Sequence, residues 1–180
     1  MKEISEELAS RITPIRLVLM DVDGTLSDGR LYYTADWVEC KAFDVTDGFG
    51  ISLLHACGLK TGIVTGRESR IVTERARELE IEIVYQGRFQ KDKILDRILK
   101  EQNLEDRQVA FIGDDLFDLP LLLRAGFSAA PADAHPEVRR RVHFVSRFGG
   151  GRGAVREIAE LILKVQGHWD GILQKYTSED

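Results

Sequence analysis

A length of 180 residues, with 43% hydrophobic residues, predicts a single domain large enough to bury a sizeable core. The net charge of −5 argues against a general nucleic-acid binder, and no apolar run approaches the ~20 residues that span a membrane. Residues 1–7 are charged and lack an apolar signal core, so we expect a cytoplasmic protein in which Cys40 and Cys57 are reduced packing residues.

The apolar patterns along the chain alternate between helix and strand. A leading helix at 2–11 precedes an apolar run at 15–20 that is typical of a buried parallel strand. Two β-prone runs within 29–43 predict a β-hairpin with more aromatic side chains than an exposed hairpin usually carries. Further strands are predicted at 61–64, 83–85, 109–112, 127–130 and 143–145, and helices at 47–57, 68–79, 92–101, 118–125 and 153–166. This order indicates an α/β fold, a Rossmann-like parallel sheet with helices on both faces and the hairpin in place of a cap domain.

Three consecutive glycines at 149–151 interrupt the pattern before the last predicted helix. They predict either a mobile hinge or a loop in which two backbones approach closely. On the hinge interpretation, the single domain 1–180 ends in a glycine-rich hinge and C-terminal tail at 149–180. We expect this tail to order over an active site, its own or a neighbouring subunit's, when substrate binds.

Polar side chains follow four of the predicted strands. These residues are Asp21 and Asp23, then Thr65 and Arg67, then Lys91, and finally Asp114, Asp115 and Asp118. Open α/β sheets place their active sites at the carboxyl ends of the strands, so we expect these side chains near one another. Paired carboxylates repel unless a cation joins them, and Mg²⁺ prefers oxygen ligands.

Together these groups predict phosphoryl transfer, which depends mainly on positioning and charge neutralisation. The stretch Asp-Val-Asp-Gly-Thr at 21–25 is by itself equally typical of an acidic turn after a strand. The other three strand ends disfavour that interpretation.

In this order, D-x-D-x-T, a threonine, a lysine and G-D-D-x-x-D resemble the haloacid dehalogenase superfamily of aspartyl phosphatases over roughly residues 15–166. Within that superfamily, five further stretches resemble the 3-deoxy-D-manno-octulosonate 8-phosphate phosphatases. They are 28–32, 43–50, 65–69, 132–136 and 149–157.

The resemblance implies Mg²⁺-dependent hydrolysis of a sugar acid phosphate through an aspartyl-phosphate, in lipopolysaccharide biosynthesis. Bacterial sialic-acid 9-phosphate phosphatases share much of the pattern, so a nonulosonate 9-phosphate is an alternative substrate. A catalytically silent binding or assembly relative is a second alternative, and a phosphotransferase or protein phosphatase a third. The presence of Asp21, Asp23 and Lys91 argues against the silent relative.

We expect Asp21 to be the nucleophile and Asp23 the general acid and base. The resemblance implies that Asp114 completes a metal shell with Asp21 and the backbone carbonyl of Asp23. We expect Thr65 to hold phosphate oxygens and Lys91, rather than Lys93, to neutralise the charge on phosphorus.

The remaining site residues lie around this centre. We expect Asp115 and Asp118 to act through water or to hold Lys91 and its loop, with a helix N-cap as the alternative for Asp118. The resemblance implies that Gly66, Arg67 and Ser69 form a substrate-facing turn. Arg152 is a further candidate contact, with a surface helix start as its alternative. The resemblance also implies a homotetramer in which neighbouring hairpins and tails shape the pocket. We expect neither nucleic acid nor membrane as a partner.

Overall fold

The computed structural model describes residues 4–87 and 90–177. The described strands in chain order are β1 (Leu17–Met20), β2 (Tyr32–Tyr33), β3 (Glu39–Cys40), β4 (Lys60–Val64), β5 (Ile83–Tyr85), β6 (Val109–Ile112), β7 (Phe127–Ala130) and β8 (Phe144–Val145). The described α-helices are α1 (Glu6–Ile12), α2 (Val45–Ala56), α3 (Arg70–Glu78), α4 (Lys91–Gln102), α5 (Leu119–Arg124), α6 (Pro136–Arg139), α7 (Ala154–Val165) and α8 (Trp169–Thr177).

Six of the strands form one parallel sheet in the order β5-β4-β1-β6-β7-β8. The central strand β1 is paired on both sides, so that Met20 lies level with Ile63 and Ile112. The three strands therefore end together, and the residues that follow them emerge at the same edge of the sheet. The predicted fold class is confirmed.

The central strand β1 is buried on both faces, which explains its unbroken run of apolar residues. Val18 and Met20 pack into the core that contains Ile51 of α2 and Ile158 of α7. Leu17 and Leu19 face the opposite way, into the core that α4 and α5 cover. The period of two along the strand thus divides the apolar residues between two helical layers.

The hairpin predicted at 29–43 is a separate two-stranded antiparallel sheet of β2 and β3. Each strand has only two residues, and the rest of the segment is turn and loop. The β-propensity of the residues predicted longer strands. Propensity is a local property, whereas a two-stranded ribbon without a third strand is only marginally stable.

The last part of the chain differs from the sequence prediction. The helix α8 was missed, and it packs on its own chain, with Ile172 buried and Tyr176 edge-to-face with Phe49 of α2 at 6.0 Å between ring centroids. The short helix α6 was also missed, because the pattern around Pro136 is typical of a turn. The leading helix begins at Glu6, while residues 2 and 3 of that prediction lie outside the described part of the chain.

Within the described residues, no helix is both long and apolar enough to cross a membrane. Cys40 and Cys57 are unpaired, but the prediction that both are packing residues is wrong for Cys40, which is exposed on the hairpin, whereas Cys57 is half-buried.

Candidate active site

A cavity of about 370 Å³ lies at the carboxyl edge of the sheet. The loops after β1, β4 and β6 form most of its wall, because these strands end level with one another. Its volume falls within the range of small-molecule sites. The lining residues are Asp21, Asp23, Gly29, Leu31, Thr65, Gly66, Arg67, Lys91, Asp114, Asp115, Phe117 and Asp118.

Asp21 is the first residue after β1, and its backbone N–H donates to the carbonyl of Ile112 at 2.9 Å. This bond extends the sheet by one step and fixes the backbone of Asp21. Burial, together with repulsion from Asp118, raises the pKa of Asp21 to about 7 even though Lys91 opposes the shift.

Lys91 begins α4, and its side chain is buried in the same cavity. Its Nζ donates to Asp21 Oδ1 at 2.7 Å and to Asp118 Oδ1 at 2.6 Å. Burial alone would lower the pKa of Lys91, but the two carboxylates outweigh it and raise the pKa above its ordinary value. Lys93 is exposed, so Lys91 is the lysine that this site contains.

Asp118 connects this lysine to the loop after β6. Its Oδ1 accepts from Lys91, while its Oδ2 accepts from the N–H groups of Asp114 and Asp115 at 2.9 and 3.2 Å. Asp118 is the N-cap residue of α5, but its side chain makes no cap hydrogen bond there. Asp118 instead holds both Lys91 and the acidic loop, which is one of the two roles expected for it from the sequence.

Asp21, Asp114 and Asp118 each offer a carboxylate oxygen, and these oxygens lie within 4.8 Å of one another. Burial and the neighbouring carboxylates Asp118 and Asp21 raise the pKa of Asp114 to about 8, although Thr25 donates a hydrogen bond to it at 3.1 Å. The cluster thus contains three carboxylates and, among the described residues, one buried lysine, Lys91, which bonds two of them. This excess of negative charge on oxygen donors fits a divalent cation.

This cluster differs from the ligand set predicted from the sequence. It contains Asp118, whereas the carboxylate of Asp23 points elsewhere and forms an ion pair with Lys41. The resemblance assigned only the backbone carbonyl of Asp23 to the metal, and that assignment stays a prediction.

The side chain of Asp23 lies in a second group of charges. Its Oδ1 accepts from Nζ of Lys41, and its Oδ2 lies 3.9 Å from Nε of Arg67. Glu39 accepts from Arg67 Nη2 at 3.1 Å and from the hydroxyl of Ser69 at 2.6 Å. Two carboxylates and two basic side chains therefore meet on this side of the cavity.

Sequence reasoning missed Glu39 and Lys41. The available signal was the period of two along β3, which places both residues on one face of the hairpin. Two opposite charges on one face of a short ribbon more often make an exposed ion pair, so the pattern alone did not indicate a site.

The predicted phosphate and substrate residues divide into two groups. Thr65, Gly66 and Arg67 line the cavity. Among the described residues, the cavity wall does not include Ser69 or Arg152. Ser69 is buried, and its hydroxyl donates to Glu39. Arg152 is exposed beside Asp28. Hydrogen bonds from Tyr32 and Arg30 lower the pKa of Asp28, and the charge of Arg152 lowers it more weakly.

The glycines at 149–151 pack directly against the loop after β1. A Cβ on Gly150 would lie 1.9 Å from the carbonyl oxygen of Gly24, and the N–H of Gly151 donates to the carbonyl of Thr25 at 2.9 Å. The N–H of Gly150 donates to Asp133 Oδ1 at 2.9 Å. Of the two interpretations of these glycines, the structure therefore has the close approach of two backbones.

Known proteins share both this sequence and this architecture. Residues 81–156 match the family of haloacid dehalogenase-like hydrolases. The chain is 41% identical over 168 residues to the 3-deoxy-D-manno-octulosonate 8-phosphate phosphatase of Yersinia pestis, an alignment that covers 93% of this chain and 90% of that one. The chain belongs to the haloacid dehalogenase-like hydrolases.

Solved structures of relatives resemble this hydrolase over nearly its whole length. The phosphatase from Yersinia pestis has a TM-score of 0.90 at 42% identity and covers 92% of this chain and 90% of its own. A 3-deoxy-D-manno-octulosonate 8-phosphate phosphatase from Moraxella catarrhalis, solved with magnesium, phosphate and KDO, has a TM-score of 0.93 at 38% identity. That alignment covers 95% of this chain and 98% of the other. The resemblance found in the sequence motifs is confirmed.

Proposed function

We propose that this hydrolase is a phosphatase that converts 3-deoxy-D-manno-octulosonate 8-phosphate to the free sugar acid and phosphate, with Mg²⁺ as its cofactor. The observation that carries the proposal is that Asp21 and Asp23 line one cavity with different partners. One carboxylate faces the buried lysine and the acidic cluster, and the other faces away from it. Two roles for two carboxylates are what phosphoryl transfer through an enzyme carboxylate requires.

In the first step, a carboxylate oxygen of Asp21 forms a bond to phosphorus while the bond from phosphorus to the sugar oxygen breaks. Asp23 gives its proton to the departing oxygen. In the second step, water attacks the same phosphorus, Asp23 takes a proton from that water, and the bond between phosphorus and Asp21 breaks. The products are phosphate and a free Asp21.

The other residues of the cavity position and neutralise the phosphate. Thr65 and the N–H groups that follow it donate to phosphate oxygens, and Lys91 offsets their charge. Asp21 and Asp114, with Asp118 beside them, are the side chains that would hold the cation. Bound Mg²⁺ supplies positive charge against the carboxylates and the phosphate together.

The relatives favour the octulosonate over a nonulosonate as the substrate, and the cavity itself supports a sugar acid of either kind. The relatives reported above are octulosonate phosphatases, and one of them is solved with KDO. Arg67 on the cavity wall offers a guanidinium that can pair with the carboxylate of a sugar acid. This substrate would place the hydrolase in lipopolysaccharide biosynthesis.

The experiment that tests this function is a phosphate-release screen with the purified protein over sugar phosphates, each with and without Mg²⁺. We expect the highest kcat/KM with 3-deoxy-D-manno-octulosonate 8-phosphate, and dependence on Mg²⁺ with every substrate. A higher kcat/KM for a nonulosonate 9-phosphate would replace the substrate assignment while leaving the chemistry intact. Release from none of them would support the silent relative.

The proposal includes a cytoplasmic homotetramer that is held partly by the hairpin. Trp37 is 80% exposed and contacts Tyr33 at 5.5 Å between ring centroids, and Leu31 and Val38 are exposed beside them. So much apolar surface on a short ribbon supports contact with another copy of the chain. The two unpaired cysteines are consistent with a reducing compartment. We expect light scattering to give a tetramer at micromolar concentration, and Trp37→Ser to lower the mass. A monomeric wild-type protein would contradict the tetramer.

A further inference from the structure

The hairpin places one buried lysine, Lys41, beside Asp23 of the same chain. Lys41 directly follows β3 and its side chain is only 1% exposed. Its Nζ forms an ion pair with Asp23 and lies 3.5 Å from Glu39 Oε1. A lysine that is removed from water needs such carboxylate partners, and here one of them is the expected proton carrier.

Glu39 is itself held on its other side by the turn after β4. Ser69 Oγ donates to Glu39 Oε2 at 2.6 Å, and Arg67 Nη2 donates to Oε1 at 3.1 Å. The N–H of Ser69 in turn donates to Oε1 of Gln86 at 2.8 Å, just beyond β5. Hydrogen bonds therefore connect the residue after β5 through Ser69 to Glu39, and an ion pair connects Glu39 to Lys41.

We propose that Lys41 is the positioning residue for Asp23, an inference that rests on the proposed function, in which Asp23 carries the proton. Nζ of Lys41 donates to Oδ1 of Asp23 and stops the carboxyl group from rotating, both when Oδ2 carries the proton and when it has given the proton up. Oδ2 lies 3.9 Å from Arg67 Nε, beyond hydrogen-bond distance, and so remains the oxygen that reaches the ester. Proton transfer gains its rate from this orientation.

Lys41 acts through Asp23 and does not touch the substrate. Among the described residues, the wall of the cavity contains Asp23, Arg67 and Lys91 but not Lys41. Lys41 therefore gains and loses no proton in either step. The proton moves from Asp23 to the sugar oxygen when the ester breaks, and returns to Asp23 from water when the aspartyl-phosphate is hydrolysed.

The test compares two leaving groups in the Lys41→Met variant, which keeps an apolar stem of similar length. A sugar alkoxide leaves slowly without a proton, whereas nitrophenolate leaves readily without one. We expect kcat/KM for the sugar acid phosphate to fall about 100-fold, the scale of general acid catalysis, and kcat/KM for p-nitrophenyl phosphate to fall less than about 3-fold. We also expect a burst of nitrophenolate, because hydrolysis of the aspartyl-phosphate still needs Asp23 as a base.

Two reference variants separate this inference from the proposed function. Asp23→Ala should show the same dependence on leaving group, and if it does not, the role of Asp23 itself is wrong. If Asp23→Ala shows the dependence and Lys41→Met does not, only the role of Lys41 is wrong. Lys60→Met is the matched control, because Lys60 is exposed and bonds only Gln102 among the described side chains.

Three results would overturn the positioning role. Equal losses on both substrates would make Lys41 a general structural residue, and a raised KM with unchanged kcat for the sugar acid would make it a binding residue. Should Lys41→Met fail to fold by circular dichroism, Glu39→Gln carries the test, because it removes the charge that faces Lys41 while the amide oxygen keeps one of the two hydrogen bonds from Ser69 and Arg67. We expect a loss of about 10-fold with the sugar acid phosphate and none with p-nitrophenyl phosphate, and no difference between the two substrates is the third overturning result.

Discussion

The active site has two halves, and each half is built around a buried lysine. Lys91 lies among Asp21, Asp118 and the nearby Asp114, so carboxylates outnumber the lysine three to one. On the other side of the cavity, Lys41 and Arg67 face Asp23 and Glu39, so the charges balance. The first half leaves negative charge for a metal ion to neutralise, and the second half needs no metal.

The two halves also come from different parts of the fold. The sheet and the helix that begins at Lys91 build the phosphate half, whereas the hairpin supplies two of the three charged side chains beside Asp23, namely Glu39 and Lys41. The residues that act on the phosphate thus belong to the core, whereas the residues that hold Asp23, the proton donor to the leaving group, come partly from a surface ribbon. We call the second set the leaving-group half. Substitutions in one half should therefore leave the other half measurably intact.

The largest expected effect comes from the phosphate half. Asp21→Asn should lower kcat by about 10⁴-fold or more, because the amide cannot form the covalent intermediate. Thermal unfolding should show a folded protein, since Asn keeps the size of the side chain and loses a charge that burial disfavours. Near-normal Mg²⁺-dependent phosphate release by this variant would sink the covalent mechanism.

The second largest effect should come from removal of the metal, on which only the phosphate half is expected to depend. We expect chelation to lower turnover about 10³-fold and added Mg²⁺ to restore it, because charge neutralisation at the phosphate is lost. In Mg²⁺ titrations, Asp114→Asn should raise the half-activating concentration, and Glu39→Gln should not. An equal rise in both variants would show that the two halves are not independent.

Arg152 tests whether the leaving-group half extends to the rim of the cavity. Arg152→Ala should reduce kcat/KM for the sugar acid phosphate about 10-fold, the scale of one charge-assisted contact, and leave p-nitrophenyl phosphate unaffected. Arg140→Ala is the control, because Arg140 is exposed and pairs with Glu137. Equal effects on both substrates, or none on either, would make Arg152 a purely structural residue.

The smallest expected effect concerns stability and lies outside both halves. Burial raises the pKa of Asp47 to about 6, while its carboxylate accepts from the N–H groups of Gly153 and Arg156 at 3.2 and 2.7 Å. Because the folded protein holds the proton of Asp47 more tightly than the unfolded chain, the protonated acid stabilises the fold. This contribution to the free energy of unfolding is fully present below the pKa of 3.8 in the unfolded chain and is lost as pH rises through the folded pKa of about 6.

Asp47→Asn removes this ionisation. Relative to the variant, the wild type should therefore lose about 1 kcal/mol of unfolding free energy between about pH 5 and about pH 8 in urea titrations. Asp170→Asn, on exposed α8, is the control. A difference that stays constant with pH would show that the pKa of Asp47 is not raised.

The sheet could be predicted from the sequence because each of its strands is a short apolar run bounded by turn residues. The positions of Asp21, Lys91 and Asp114 in one cavity followed from the rule that parallel strands share their carboxyl edge. Both depend on local patterns and on one general property of such sheets.

The contacts of Lys41 could not be predicted in the same way. They depend on how a short ribbon folds over the cavity, and no periodicity encodes that path. The helix α8 was missed for a related reason, since Ile172 is its only described residue that is buried. An element that contacts the core at so few points leaves little hydrophobic pattern to detect.

The contact of Gly150 and Gly151 with the loop after β1 has a consequence for synthesis of the protein. The ribosome makes Asp21 long before it makes Gly150 and Gly151, which pack against the loop after β1. The neighbouring strands β4 and β6 are also made after β1. A nascent chain can therefore collapse around its first strands long before it can hold a reactive aspartate in place. Hydrolytic activity should appear only after Gly150 and Gly151 have left the ribosome.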